Sequence, residues 1–207
     1  MLDKSGNGNH ATQATSSKRP TYTEGGGLSW LAFDGVDDLM SVPSSTDKFN
    51  FLHNGLGCTT FSAIDNASGH NGVIYITSLD SNDVGATLYI QSNRYRSAVC
   101  NATGAFMVLG NALGIATGVD IVTVLNSSGK SPDYQLFEKQ ASSFTTNYVG
   151  SPSTSNATNN LSIGSRNGTS LFFSGKMFGL ISLGADATSE QIASTEAYLA
   201  AKSGVTL

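Results

Sequence analysis

The first side chains with chemistry to offer lie in residues 3–11, DKSGNGNHA. Asp3, Asn7 and Asn9 set oxygen donors at short intervals around Gly6 and Gly8, and calcium is the ion such a loop of hard ligands would take. The same alternation of Asn and Gly is what backbone positions at positive φ demand, so a plain structural turn explains the stretch with fewer conditions. A phosphate cradle needs glycine amides feeding a helix N-terminus. The ATQATSSKRP that follows is polar, ends in proline and supplies no amphipathic helix, which removes that reading.

Aromatic rings beside Asn, Asp or Arg are the second kind of chemistry. A sugar needs an apolar ring to stack on and polar groups to orient its hydroxyls. Asn93, Arg94, Tyr95 and Arg96 make the best local match, with Tyr134 and Tyr148 near polar loops next. Trp30 alternates within an apolar strand and reads as core.

Catalysis is harder to find. Glycoside hydrolysis needs two acids about 5–10 Å apart across a cleft. The chain has only Glu24, Glu138, Glu190 and Glu196, and none stands in the alternating acid pattern that aims several carboxylates into one groove. Asp37 and Asp38 are adjacent, so on a strand they would face opposite ways. Gly-x-Ser-x-Gly is absent, and Cys58, Cys100, His10, His53 and His70 show neither zinc-ligand spacing nor a nucleophile–base motif. The reading is a protein without catalytic function.

These groups must be held by strands. The 207 residues include 23 glycines, and only 13% are charged, a composition that suits short strands joined by polar turns. In LSWLAFDG (28–35), Leu28, Trp30 and Ala32 share one face while Leu31 and Phe33 share the other. GVIYITSL (72–79), ATLYIQSNRYRSAV (86–99), AFMVLG, VDIVTVLN, DYQLFEKQ, NLSIGS and SGKMFGLISLG continue the series, with NSSGK as a hairpin signal. Strands recur roughly every ten residues, as in a sandwich or barrel. One helix closes the chain. Thr188 caps it, Gln191 completes a capping box and Gly204 stops it after Lys202. Ile192, Thr195 and Leu199 share the face that docks. SPSTSNATNN (151–160) reads as a long exposed loop. A single domain over residues 1–207 is expected, either standing alone or as one module of a longer chain.

Charge excludes some partners. The net charge is −4 and no broad basic face exists, so nucleic acid is not expected as a ligand. No apolar run approaches the roughly 18 residues that span a bilayer, so no membrane insertion is expected. The N-terminus has no leader pattern, and export would then occur within a larger assembly or after loss of a leader. Cys58 and Cys100 could pair in an oxidising compartment or remain buried thiols. Six Asn-x-Ser/Thr sequons, at Asn66, Asn101, Asn126, Asn156, Asn160 and Asn167, carry little weight in a chain so rich in these residues.

Several of these stretches together resemble a known family. DKSGNGNHA, then FDGVDD (33–38), then NLSIGSRNGTSLFFSGKMFGLISL and the closing SEQIASTEAYLAAKSGV resemble the laminin-G-like, concanavalin A-like lectin jelly rolls found in bacteriophage structural proteins such as tail fibres and capsid decorations. The resemblance implies an all-β jelly-roll sandwich of antiparallel sheets with one short C-terminal helix. It implies a place on the virion exterior, other virion proteins and copies of itself as partners, trimers being the most plausible assembly, and host surface polysaccharide as a further partner. Secreted bacterial adhesion domains and sugar-free decoration proteins share the fold. Relatives often bind calcium, so Asp34, Asp37 and Asp38 would join Asp3, Asn7 and Asn9 if the fold brought them near. Phage relatives usually carry a strand upstream of the DKSGNGN segment. Here the segment starts at once, so another element would cover that edge or the chain would be one module among several.

Overall fold

The alternation in residues 28–34 does what period two requires: Phe33 enters one hydrophobic cluster, while Leu28 and Trp30 pack against another on the opposite face. The structure is a computed structural model that describes all residues except 68–69, 79–82, 102–105, 115–117, 130–131, 139–141 and 148–149, with backbone alone at 106–114, 138 and 142–143. In chain order the strands are β1 (Thr21–Gly25), β2 (Leu28–Asp34), β3 (Met40–Ser41), β4 (Cys58–Asn66), β5 (Gly72–Ile76), β6 (Gly85–Ile90) and β7 (Arg94–Cys100). They continue with β8 (Phe106–Gly114), β9 (Val119–Asn126), β10 (Tyr134–Glu138), β11 (Ser142–Thr146), β12 (Ser162–Ile163) and β13 (Ser174–Leu183), and the helix α1 (Ser189–Ser203) ends the series.

Two antiparallel sheets result. One runs β1-β2-β13-β4-β9-β10-β11, the other β3-β12-β5-β6-β7-β8. Their facing sides share a core in which Ile64, Val122 and Val124 meet Ile74, Leu88, Ile90 and Tyr95, the close-packed interior of a concanavalin A-like jelly-roll sandwich. Two hydroxyls cross the gap between the sheets. Tyr95 donates to Asp120 Oδ2 at 2.6 Å, and Tyr75 and Thr60 share a hydrogen bond at 3.1 Å.

The helix forms as expected. Thr188 Oγ1 accepts from the Gln191 amide, Gln191 Oε1 accepts from the Thr188 amide, and Gly204 takes the left-handed cap at φ 71°. Leu199 and Ala200 bury against Phe61, Ala63, Ile121 and Phe178 on the outer side of the seven-stranded sheet. The approach is close enough that a Cβ at Gly179 would stand 2.6 Å from Leu199. The same docking buries Glu196 completely, where it accepts a 2.6 Å hydrogen bond from Thr123 Oγ1. The 151–160 segment is mainly exposed, as its composition suggests, yet it is tied down by Ala157 to Thr46, Thr158 to Val84 and Asn159 to Thr77.

One expectation is corrected, and one strand that the sequence pattern did not announce appears. Residues 86–99 are not one strand but β6 and β7, joined by a reciprocal bond pair between Gln91 and Arg94. Ser92 and Asn93 both sit at positive φ, 52° and 58°, as a two-residue hairpin turn matched to strand twist requires. β4, at the middle of the seven-stranded sheet, shows no clean alternation because residues 58–64 are buried on both faces. Cys58 and Cys100 are both buried and not joined by a disulfide.

Candidate functional site

The outer face of the six-stranded sheet carries a small cleft built from ordinary strand geometry. On β6, Leu88 and Ile90 point into the core, so Thr87 and Tyr89 point out. On β5 a bulge falls between Val73 and Tyr75: Val73 pairs with Tyr89, Tyr75 with Leu88 and Ile76 with Thr87. Ile74 and Tyr75 both enter the core, and Val73 and Ile76 consequently share the outer face although three residues apart. The result is a cavity of about 220 Å³ lined by Val73, Ile76, Thr87, Tyr89, Arg166 and Leu171 together with Ser78 and Gln91.

The remaining wall comes from the connection between β12 and β13. Arg166 heads a tight turn in which its amide donates to the Ser170 carbonyl and the Thr169 amide donates back to its own carbonyl. The Ser165 hydroxyl accepts from the Gly168 amide, and Asn167 Nδ2 donates to the Ser78 carbonyl. Leu171 then sits at φ 50° while its carbonyl accepts from the Val73 amide at 2.8 Å. A bulky apolar residue in the left-handed region is strained, and such strain persists where surrounding structure imposes it, often at binding sites.

The chemistry of this wall is specific. It joins a half-buried tyrosine ring, a guanidinium, an amide and an apolar floor, and no acid is among the described lining residues. The Thr87 hydroxyl donates to the Tyr75 carbonyl on the neighbouring strand. This is the pairing of ring and polar groups that a saccharide uses.

The sequence-designated residues distribute unevenly around it. Tyr95 is fully buried between the sheets and is no surface platform. Strand alternation sends its neighbours Arg94 and Arg96 to the cleft side instead, where Arg96 pairs across the ladder with Tyr89 and Arg94 sits opposite Gln91. Asn93 is in the hairpin turn, exposed. Tyr134 is fully buried in the core of the other sheet, and Tyr148 lies outside the described residues. Tyr89 and Arg166 were the missed members. The run of Leu88 and Ile90 around Tyr89 held the signal for the first, since alternation puts it opposite two core residues; Arg166 enters the site only through tertiary folding.

The oxygen-rich segments turn out to be two separate turns. Asp3 Oδ1 accepts from the Ser5 amide and Oδ2 from the Asn9 amide, with Gly6 and Gly8 at φ 88° and 72°. These backbone bonds, the one from Ser5 foremost, hold the Asp3 carboxyl below its usual pKa. Ser5 Oγ accepts from the Asn7 amide.

At the end of β2, the Asp34, Asp37 and Asp38 carboxylates lie within 4.8 Å of one another, and Asp3 is not among them. Asp37 and Asp38 therefore converge in a turn rather than splaying across a strand. Asp34 Oδ1 accepts from the Val36, Asp37 and Asp38 amides, and Asp38 Oδ2 accepts from the Asp34 amide. Partial burial works against the charged form of Asp34, but those amides outweigh it and lower its pKa. Burial raises that of Asp38, helped by the neighbouring Asp34 and Asp37 charges. With one oxygen from each carboxylate, the three residues fall short of the six to eight oxygens that calcium collects; second carboxylate oxygens, carbonyls or water would have to complete the set. The amide bonds account for the turn without an ion.

No family model matches the chain, and no curated protein sequence matches it. Solved structures do. The CBM40 module of Ruminococcus gnavus IT-sialidase, bound to alpha2,3 sialyllactose, is similar with a TM-score of 0.56 at 15% identity, covering 86% of this chain and 97% of that one. The botulinum neurotoxin type G receptor-binding domain is similar at 0.62 and 9%, covering 95% of this chain and 48% of that one. The K499G mutant of NanB sialidase from Streptococcus pneumoniae is similar at 0.59 and 8%, covering 79% of this chain and 27% of that one. This chain thus spans about a quarter of the sialidase and about half of the toxin domain. At these identities the likeness shows the fold, a lectin-like β-sandwich.

Proposed function

We propose that this protein is a non-catalytic glycan-binding module whose site is the Tyr89 cleft. The observation that carries the reading is the cleft wall itself. A tyrosine ring, a guanidinium and an amide converge over an apolar floor, next to a strained leucine, with no acid among the described lining residues. The second described cleft, where Met1, Arg19, Leu31 and Met40 meet, also has no Asp or Glu in its wall. Similar folds in a sialidase CBM40 bound to sialyllactose and in a toxin's receptor-binding domain are in keeping with this use. The cavity is smaller than the roughly 300–1,000 Å³ of drug-sized sites, so it accommodates the end of a glycan and leaves the rest in solvent.

Placement on the outside of a bacteriophage particle, in a tail fibre or a capsid decoration, rests on the sequence resemblance alone. There the module would attach the particle to host surface polysaccharide, in company with copies of itself and other virion proteins. The test is a glycan array probed with the purified chain and with Tyr89→Ala. Binding that is lost in the variant at unchanged Tm supports the reading. Absence of binding to every glycan, including when the chain is clustered on beads, refutes it and leaves a structural decoration role.

A further inference from the structure

The chain has four arginines, at 19, 94, 96 and 166, and three of them surround one tyrosine. Arg166 lines the cleft beside Tyr89. Arg96 is the direct cross-strand partner of Tyr89, in a pair whose Cβ atoms lie about 4.5–5.5 Å apart on one face. Arg94 follows two residues earlier on β7, opposite the lining residue Gln91. This concentration runs against the composition, since the chain as a whole carries a net charge of −4.

Arg96 is the informative member. Its Nε is buried and has no hydrogen-bond partner among the described residues. A buried donor left unpaired is destabilising, and an acceptor arriving with a ligand would remove that cost. The guanidinium presents planar, paired N–H donors matched to a carboxylate, and it stays charged at every accessible pH. Among the described residues that line the cleft beside it, none is a carboxylate. Neutral sugars offer hydroxyls, which gain little from a cluster of guanidinium groups, whereas a carboxylate gains charge-assisted, bidentate bonds.

We propose that the cleft selects a terminal sugar bearing a carboxylate, with the ring against Tyr89 and the carboxylate held by Arg96 and Arg166. The proposal rests on the glycan reading and narrows it to acidic saccharides. Arg94, more exposed, draws such chains toward the face and sets no orientation.

The experiment is an array holding neutral glycans, the same glycans ended in sialic or uronic acid, and sulfated counterparts, probed with wild type, Arg96→Gln, Arg166→Gln and Arg166→Lys. Thermal unfolding serves as the folding control. The expected result is at least ten-fold preference for the carboxylated over the neutral member of each pair. That preference falls to about two-fold or less in either Gln variant, and only partly recovers in Arg166→Lys, which keeps the charge without the planar fork. Equal binding of neutral and carboxylated members overturns the inference but leaves the glycan reading intact. Preference for sulfate over carboxylate also overturns it, since charge alone would then decide. Binding to no glycan overturns both.

Discussion

Replacing Tyr95 with phenylalanine separates the two roles that an arginine-flanked tyrosine can play. The hydroxyl lies 2.6 Å from Asp120 Oδ2, and both residues are fully buried. Tyr95 belongs to the six-stranded sheet and Asp120 to the seven-stranded one, so the bond ties the sheets together across the core. Tyr95→Phe keeps the ring and its packing and deletes one donor to a carboxylate. Hydrogen bonds to charged groups contribute about 1.5–3 kcal/mol. At about 2–4 °C per kcal/mol for a chain of this size, the variant should melt about 3–12 °C lower by calorimetry. Urea unfolding should show a lower midpoint at unchanged m-value. Glycan binding at a temperature where both proteins are folded should be the same as wild type. A variant that melts like wild type but binds more weakly would sink the reasoning, because Tyr95 would then have to face solvent and ligand.

Further outcomes follow from other buried groups. Thr123→Val removes the hydroxyl that donates to Glu196 beneath α1, and should cost about 1.5–3 kcal/mol by urea unfolding; no loss would show that the helix does not seat as described. Burial holds the His53 imidazole below its usual pKa, opposed by its bond to the Ser155 carbonyl. Its folded pKa is depressed, so its contribution is full above about pH 6.5 and fades as pH falls through the lower folded value, by at most about 1.4 kcal/mol per pH unit. His53→Gln should flatten that part of the stability profile between pH 7 and 5, and an unchanged profile would remove His53 from the account. Burial pushes the Cys58 thiol up to about 12, with the Asp186 charge adding to it, so Ellman's reagent should leave native protein unmodified and react only in denaturant; rapid native labelling would contradict the burial. EDTA should leave glycan binding unchanged, since no described lining residue of the cleft is a carboxylate, and calcium should not raise the Tm if Asp34, Asp37 and Asp38 form only a turn. A saturable rise in Tm with calcium would make them a metal site.

Those perturbations also mark what a linear reading can reach. The helix was legible to the residue because Thr188, Gln191 and Gly204 act within one turn of their own backbone. So was the inward Phe33, since a strand's two faces follow from alternation. The β6–β7 hairpin was not, because Ser92 and Asn93 reach positive φ without a glycine to announce it. β4 escaped because a strand covered on one side by the other sheet and on the other by α1 has no polar face to alternate with. The candidate cleft was half visible: the arginines around Tyr95 lie on its side of the sheet, but the pleat turns the Tyr95 ring inward and Tyr89 outward. The bulge that brings Val73 and Ile76 together, and the turn that brings in Arg166, arise only from long-range pairing.

The modest size of the cleft has a kinetic consequence. On the proposed reading, a cleft of about 220 Å³ would hold only the end of a glycan and immobilise few atoms, so each engagement would be brief. Short residence is a handicap for a lone copy and an asset for a displayed set. When several copies share one scaffold, rebinding at high effective concentration can multiply apparent affinity about 10²–10⁴-fold without any new contact. Individual grips meanwhile release and reform, so the bearer can move over a glycan-coated surface without ever leaving it.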